Sequence, residues 1–63
     1  MTLTHKEVQI LNLIKSRYTN KQIAEECGKS IFTINHQVTT IIRKLKADDR
    51  HHAVIIACRQ GII

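Results

Sequence analysis

Proline and tryptophan are absent from this 63-residue sequence, which has only two glycines, one tyrosine and one phenylalanine. Without proline, no position forces a break inside a helix. The β-branched residues are plentiful, but they recur at helical spacing and do not alternate as they would in half-buried strands. Hydrophobic residues make up 43% of the chain, enough for it to fold. We therefore predict an all-α fold.

Cysteine is scarce as well, and its two copies lie far apart. Neither Cys27 nor Cys58 belongs to a CxxC pair, so we expect both to be reduced, small core residues and a disulfide to be the minority alternative. No apolar run is long enough to span a membrane, and no signal peptide is visible. These observations favour a cytoplasmic protein without a membrane partner.

The groupings of residues that catalysis needs are also missing. No carboxylate pair and no glycine-rich phosphate loop accompanies the four histidines His5, His36, His51 and His52. His51 and His52 adjoin at the start of a helix, so their side chains point in different directions. We expect no enzymatic activity, no metal site and no cofactor.

Charge gives the first positive indication of a partner. Ten Lys and Arg against five Asp and Glu give a formal net charge of +5, which favours a polyanion and nucleic acid more than a membrane surface. Charge alone leaves a merely soluble basic domain equally open. A chain of this length buries only about 60% of its unfolded surface, so residues 1–63 are expected to form a single domain.

Helical periodicity and capping residues predict a four-helix bundle containing a helix-turn-helix. The helices are expected at about residues 5–16, 20–27, 30–46 and 50–60. Their expected N-caps are Thr4, which forms a capping box with Glu7, then Asn20, Ser30, and either Asp48 or Asp49. Gly28 and Gly61 are expected to end the second and fourth helices.

The stretch from Thr19 to Leu45 has the pattern of the helix-turn-helix. Small Ala24 lets two helices cross closely, Gly28 suits the turn, and Ile34 fills the angle between the helices. The third helix has an apolar stripe of Ile34, Val38, Ile41, Ile42 and Leu45. Its opposite face carries Thr33, Asn35, His36, Thr39, Thr40, Arg43 and Lys44. Such side chains reach base edges and phosphates, which tips the charge argument towards nucleic acid.

The fourth helix holds more apolar residues than one small core needs. Its inner face requires only Ala53, Val54 and Ala57. A surplus then remains at Ile55, Ile56 and Cys58, followed by Ile62 and Ile63. An exposed apolar strip on a small domain indicates a partner surface, so self-association is favoured over complete burial in one subunit.

Five short motifs occur in order along the chain. L-T-x-x-E is formed by Leu3, Thr4 and Glu7, and T-N-K-x-I-A by Thr19, Asn20, Lys21, Ile23 and Ala24. The turn and third helix supply Gly28, Ser30, Thr33, Ile34 and Val38, and the end of that helix supplies Ile41 or Ile42, Lys44 and Leu45. The last motif comprises Arg50, Ala53, Val54 and Gly61. In this order and spacing they resemble the LuxR-type (GerE-type) helix-turn-helix domain of bacterial transcriptional regulators, over Leu3 to Ile63.

The sequence also departs from the pattern of that family. The family usually has proline at His5 and glycine at Arg17 and Lys46. It usually has a basic residue at Asn35 and histidine at Gln37, both on or beside the polar face of the third helix. We therefore expect the family's fold to carry over, but not its operator preference.

The resemblance implies a regulator that binds double-stranded DNA with its third helix in the major groove. Asn35, His36 and Thr39 are then the expected base contacts, suited to adenine, guanine and a thymine methyl group respectively. Phosphate contacts are expected from Thr19, Lys21, Gln22, Ser30, Thr33, Arg43 and Lys44. The family dimerises through its fourth helix, which assigns Ile55, Ile56, Cys58 and Ile62 to a homodimer interface. An inverted-repeat site is implied, with RNA polymerase as a further partner.

Two alternatives stay open on the sequence alone. A sigma-factor region-4-like domain also reads promoter DNA through a helix-turn-helix, although such domains generally end soon after the recognition helix. A helix-turn-helix protein-interaction module would not need a polar face ending in Arg43 and Lys44. The sequence also leaves open whether the chain is a complete protein or an excised domain.

Overall fold

Four helices joined by short turns make up the computed structural model, which describes residues 3–63. They are α1 (His5–Lys15), α2 (Asn20–Cys27), α3 (Ile31–Leu45) and α4 (Arg50–Arg59). The all-α prediction is confirmed, and each predicted helix end lies within one residue of the observed end. Positions 1 and 2 of the predicted domain lie outside the described residues. None of these four helices is long and apolar enough to cross a membrane.

The starts of the helices follow the capping signals, with one correction. Thr4 and Glu7 form the predicted capping box, and Ser30 and Asp49 cap α3 and α4. The predicted cap at Asn20 is wrong, because Thr19 caps α2. Thr19 has the extended backbone of a cap, and its hydroxyl accepts from the Gln22 amide while the Gln22 side chain accepts from the Thr19 amide. That reciprocal pair leaves the Asn20 side chain available for tertiary contacts.

All four helices end in the same way, with one residue in the left-handed conformation. These residues are Arg17, Gly28, Lys46 and Gly61, with φ between 56° and 72°. The amide that follows each of them donates to a carbonyl five residues earlier, as in the Tyr18–Leu13 bond of 3.0 Å. This is the Schellman arrangement, which satisfies carbonyls at the end of a helix. Two of the four positions thus hold a long basic side chain where glycine is the unstrained choice.

The core forms where the four helices meet, and it leaves one side of α3 uncovered. Its largest fully buried side chains are Leu11, Ile23, Ile34 and Ile41. Three alanines that are at most 4% exposed, Ala24, Ala53 and Ala57, let α2 and α4 approach the other helices closely. Helix α1 contacts the other three helices, while α3 packs against α1, α2 and α4. The α2–α3 pair therefore rests on a platform made by α1 and α4.

The burial of the C-terminal isoleucines and of the two cysteines differs from the prediction. Ile62 and Ile63 are partly buried and pack against the core. Cys27 is partly buried at the edge of the core, but Cys58 is exposed, so the expectation of two core cysteines is wrong for Cys58. The reason is that the inner side of α4 is already filled by Ala53 and Ala57.

Candidate nucleic-acid interface

The packing leaves the outward side of α3, the longest of the four helices, uncovered. Phe32, His36, Thr39 and Arg43 follow one another at intervals of four, three and four residues, so they form one stripe along the helix. All four are exposed, whereas Ile34 on the opposite side is fully buried. We call these four residues the reading face. A helix anchored in the core on its other side holds them in fixed relative positions.

Two of the three predicted base contacts lie on the reading face, and the third lies at its edge. His36 and Thr39 belong to the stripe, while Asn35 is exposed on the side that faces α2. The Thr39 hydroxyl donates to the Asn35 carbonyl at 2.9 Å. Its proton is therefore used within the helix, and Thr39 offers its methyl group and hydroxyl lone pairs to a partner.

A chain of side-chain hydrogen bonds holds Asn35 in place. Asn35 Oδ1 accepts from Asn20 Nδ2, and Asn20 Oδ1 accepts in turn from the Arg50 guanidinium. Arg50 also donates to the Tyr18 carbonyl at 3.1 Å. The chain runs from the start of α4, through the start of α2, to α3. It leaves the Asn35 Nδ2 group as the outward donor, and one Oδ1 lone pair is still unused.

The starts of α2 and α3 bring together most of the predicted phosphate contacts. Thr19, Lys21 and Gln22 are exposed in the first turn of α2 or at its cap. At the start of α3, Ser30 accepts from the Thr33 amide at 3.1 Å and donates to the Thr33 hydroxyl at 3.0 Å. Helix starts carry partial positive charge and unpaired amides, so both turns suit an anionic backbone.

Lys44 lies on the flank of α3, away from the reading face. Its ammonium donates to Glu7 Oε1 at 2.9 Å, and the two side chains are 29% and 11% exposed. The predicted phosphate contact of Lys44 stays a prediction, but one of its three N–H donors already belongs to this internal ion pair. Arg43, one residue earlier, is exposed and is the cation that lies on the reading face.

Opposing effects act on the pKa of Glu7. Burial raises the pKa of this carboxyl, while hydrogen bonds from the Thr4 amide and the Lys44 ammonium, together with the positive charge of Lys44, lower it. The lowering effects win, so the pKa of Glu7 lies below its ordinary value. Glu7 thus stays ionised while it joins the start of α1 to the end of α3.

The predicted dimer residues lie on and after α4 with different exposure. Ile55 is 48% exposed and Cys58 is also exposed, so they form a short strip one helical turn long. Ile56 and Ile62 are only partly exposed, and Ile62 packs against the core. The surplus predicted for α4 is therefore present, but it is concentrated at Ile55 and Cys58.

Among the remaining histidines, His52 takes part in a local hydrogen bond. His52 Nδ1 accepts from the Asp48 amide at 3.0 Å, at the turn before α4. Within residues 3–63, no three His, Cys, Asp or Glu side chains are grouped so that they would hold a metal ion.

Comparison with known proteins decides which family this geometry belongs to. Residues 1–57 match the family described as bacterial regulatory proteins, luxR family. The chain belongs to the luxR family. The transcriptional regulatory protein LiaR of Bacillus subtilis is 39% identical over 62 residues, which are 98% of this chain and 29% of LiaR. The response regulator protein VraR is 39% identical over 61 residues in both Staphylococcus aureus and Staphylococcus epidermidis, covering 97% of this chain and 29% of each VraR.

Membership settles the general role of the domain. It is a LuxR-type helix-turn-helix DNA-binding domain of transcription regulation and not an enzyme. The resemblance read from the sequence motifs is confirmed. The chain spans less than a third of the length of the curated relatives it matches.

Two features of the site escaped sequence reasoning. Phe32 was not singled out, although its helical spacing from His36 and Thr39 places it on the same face. The hydrogen bonds that link Arg50, Asn20 and Asn35 join residues up to 30 positions apart, and no local sequence pattern predicts them.

Proposed function

We propose that this domain binds double-stranded DNA sequence-specifically, with α3 in the major groove, as a homodimer on an inverted-repeat site. The observation that best supports the proposal is that the two sides of α3 have different environments. Its inner side is locked in the core, and its outer side presents hydrogen-bonding and cationic groups to solvent. A major groove admits one α-helix, and the N-terminal part of a recognition helix meets the base edges.

Base reading belongs to Asn35, His36 and Thr39 in this proposal. The Asn35 Nδ2 group donates to adenine N7, and the unused Oδ1 lone pair accepts from adenine N6. His36 donates to an acceptor of guanine. The Thr39 methyl group, left outward by the internal bond of its hydroxyl, contacts a thymine methyl group.

Phosphate contacts set affinity and register. The proposed contacts are Thr19, Lys21, Gln22, Ser30, Thr33, Arg43 and Lys44. The turns that start α2 and α3 offer hydroxyls and helix-terminal amides, and Arg43 offers an exposed cation. A net charge of +5 supports attraction to a duplex before any specific contact forms.

The proposal for the larger protein rests on the relatives. LiaR is named a transcriptional regulatory protein and VraR a response regulator protein. We extend to this chain the role of the DNA-binding part of such a regulator, acting in the cytoplasm and working with RNA polymerase. A homodimer through Ile55, Ile56, Cys58 and Ile62 of α4 completes the proposal.

The test is fluorescence anisotropy on duplexes selected from a random pool, measured across a salt series. His36→Ala should lower affinity for the selected duplex and leave affinity for random duplexes nearly unchanged. Arg43→Ala should weaken binding to all duplexes and reduce the slope of log K against log salt by about 1. Lys6→Ala removes one positive charge from an exposed position of α1 and serves as the matched control.

A folded wild-type domain that binds no duplex at low salt would contradict the proposal and favour the protein-interaction module. The sigma-factor alternative has less support, because α4 is present and packs against α1 and α3. A protein that stays monomeric on its selected site would contradict the homodimer alone.

A further inference from the structure

Phe32 is the most exposed large apolar side chain in the described part of the chain. It is 83% exposed, against 46% for Ile31 and 48% for Ile55. Phe32 lies in the first turn of α3, where a polar residue would serve the helix and its solubility equally well. Its position on the reading face, one turn before His36, identifies the surface to which this exposure belongs.

We infer, resting on the proposed function, that Phe32 is a specificity-determining residue that packs against the C5-methyl group of a thymine in the major groove. The methyl group of thymine is the one apolar group that the base edges present in that groove. Phenylalanine is among the side chains that contact it, and it has no group that binds a phosphate.

The surroundings of Phe32 point to DNA as the occupant and not to an apolar protein groove. His36, Thr39 and Arg43 continue the same stripe, and the hydroxyls of Ser30 and Thr33 lie in the same first turn. An apolar protein groove would have to bury these polar groups together with the ring. A major groove takes all of them, because phosphates flank it and base edges form its floor.

The position in the helix supports a direct contact with bases. Residues near the N-terminus of a recognition helix reach deepest towards the base edges. Phe32 precedes Asn35 by three residues and His36 by four, so all three side chains meet neighbouring base pairs. Phe32 then adds a preference for thymine to the hydrogen-bonding preferences of Asn35 and His36.

The experiment removes the methyl group from the DNA and the ring from the protein separately. In a duplex selected by the wild-type domain, each thymine is replaced in turn by deoxyuridine, which lacks only the C5-methyl group. Anisotropy at one fixed salt concentration then gives the affinity of each duplex. Besides the thymine that Thr39 is proposed to contact, we expect one further thymine in each half-site whose replacement weakens wild-type binding about fourfold, the factor for removing one methyl group from an apolar contact.

At the further position where the wild type prefers thymine, Phe32→Ala should bind the thymine duplex and the deoxyuridine duplex with nearly equal affinity. Ile31→Ala is the matched control, because Ile31 is the adjacent exposed apolar residue and points about 100° away around the helix. It should keep the full fourfold preference for thymine. Since Phe32 is so exposed, Phe32→Ala should melt at the wild-type temperature, which circular dichroism verifies.

Two results would overturn the inference while leaving sequence-specific binding by α3 intact. One is a wild-type domain that selects a specific duplex but tolerates deoxyuridine at every position. The other is a Phe32→Ala variant that keeps the wild-type preference for thymine, which would assign that preference to Thr39. Absence of specific duplex binding by the wild type would overturn the proposed function and this inference together.

Discussion

Asn20 links the start of α4 to the proposed base contact Asn35, since its side-chain amide accepts from Arg50 and donates to Asn35. We expect Asn20→Ala to leave the Asn35 side chain unheld and to lower the ratio of operator to random-duplex affinity about fivefold, the equivalent of one hydrogen bond. Competition anisotropy measures that ratio. Asn12→Ala, which removes an exposed asparagine from α1, is the control. An unchanged ratio in Asn20→Ala would show that Asn35 needs no support from α2.

Glu7 gives the fold a defined response to acid. Its pKa is lower in the folded domain than in the unfolded chain, so ionised Glu7 stabilises the fold above the unfolded value, near 4.5. That stability is lost as the pH falls below 4.5 and through the folded pKa. We expect Glu7→Gln to have a melting temperature that depends less on pH between 6 and 3 than that of the wild type.

Glu26→Gln is the matched control for this prediction, because Glu26 is an exposed carboxylate on α2. It should keep the acid response of the wild type. Lys44→Gln should weaken the response in the same direction as Glu7→Gln, since it removes the charge that lowers the pKa of Glu7. Equal pH dependence in the wild type and Glu7→Gln would refute the role of this ion pair.

The backbone of Arg17, at the end of α1, carries strain that a glycine at this position would avoid. Arg17 holds a left-handed backbone with φ of 69° at the end of α1, which costs a residue with a Cβ atom about 1–2 kcal/mol. Glycine avoids that cost but loses about 0.5–1 kcal/mol of chain entropy. We expect Arg17→Gly to stabilise the domain by about 0.5–1 kcal/mol in urea unfolding.

Gly28→Ala is the converse test at the end of α2. Nothing lies within 4 Å of a Cβ atom placed on Gly28, so the expected loss of about 1 kcal/mol comes from the backbone alone. If Arg17→Gly proved less stable than the wild type, contacts of the Arg17 side chain would have to outweigh the strain of its backbone.

Helix boundaries were predictable because their signals are local. Periodicity, caps and glycines each act within about one turn, and they placed every helix end within one residue. The single wrong cap arose because Thr19 and Asn20 are both good N-cap residues. Gln22 decides between them, since it lies three residues after Thr19 and completes a capping box.

The interface was less predictable because its contacts join distant positions. A helical projection placed Lys44 beside Arg43 on the polar side, but it cannot reveal Glu7, 37 positions away, which takes the ammonium. A helical projection likewise cannot reveal the hydrogen bond between Arg50 and Asn20, which are 30 positions apart. A helical projection does place Phe32 on the same face as His36. Phe32 was missed because only the polar residues of the third helix were considered as DNA contacts.

At the scale of the whole molecule, the exposed strip of Ile55 and Cys58 lies on α4, a different helix from the one that carries the reading face. A two-fold dimer through this strip would leave both copies of α3 uncovered, as binding to an inverted repeat requires. Two such copies would then meet half-sites about one helical turn apart.

We expect Ile55→Asp to weaken self-association at least about tenfold, because a two-fold interface would bring the new carboxylate close to its own copy in an apolar contact. Sedimentation equilibrium with the selected inverted repeat measures this change. Gln9→Asp is the control, since it places a carboxylate at an exposed position of α1, away from the proposed contacts of α3 and α4. Ile55→Asp should still bind a single half-site, but it should lose the additional affinity that the second half-site of the inverted repeat gives to a dimer. If Ile55→Asp still bound the inverted repeat as a dimer, the interface would have to lie outside the α4 strip.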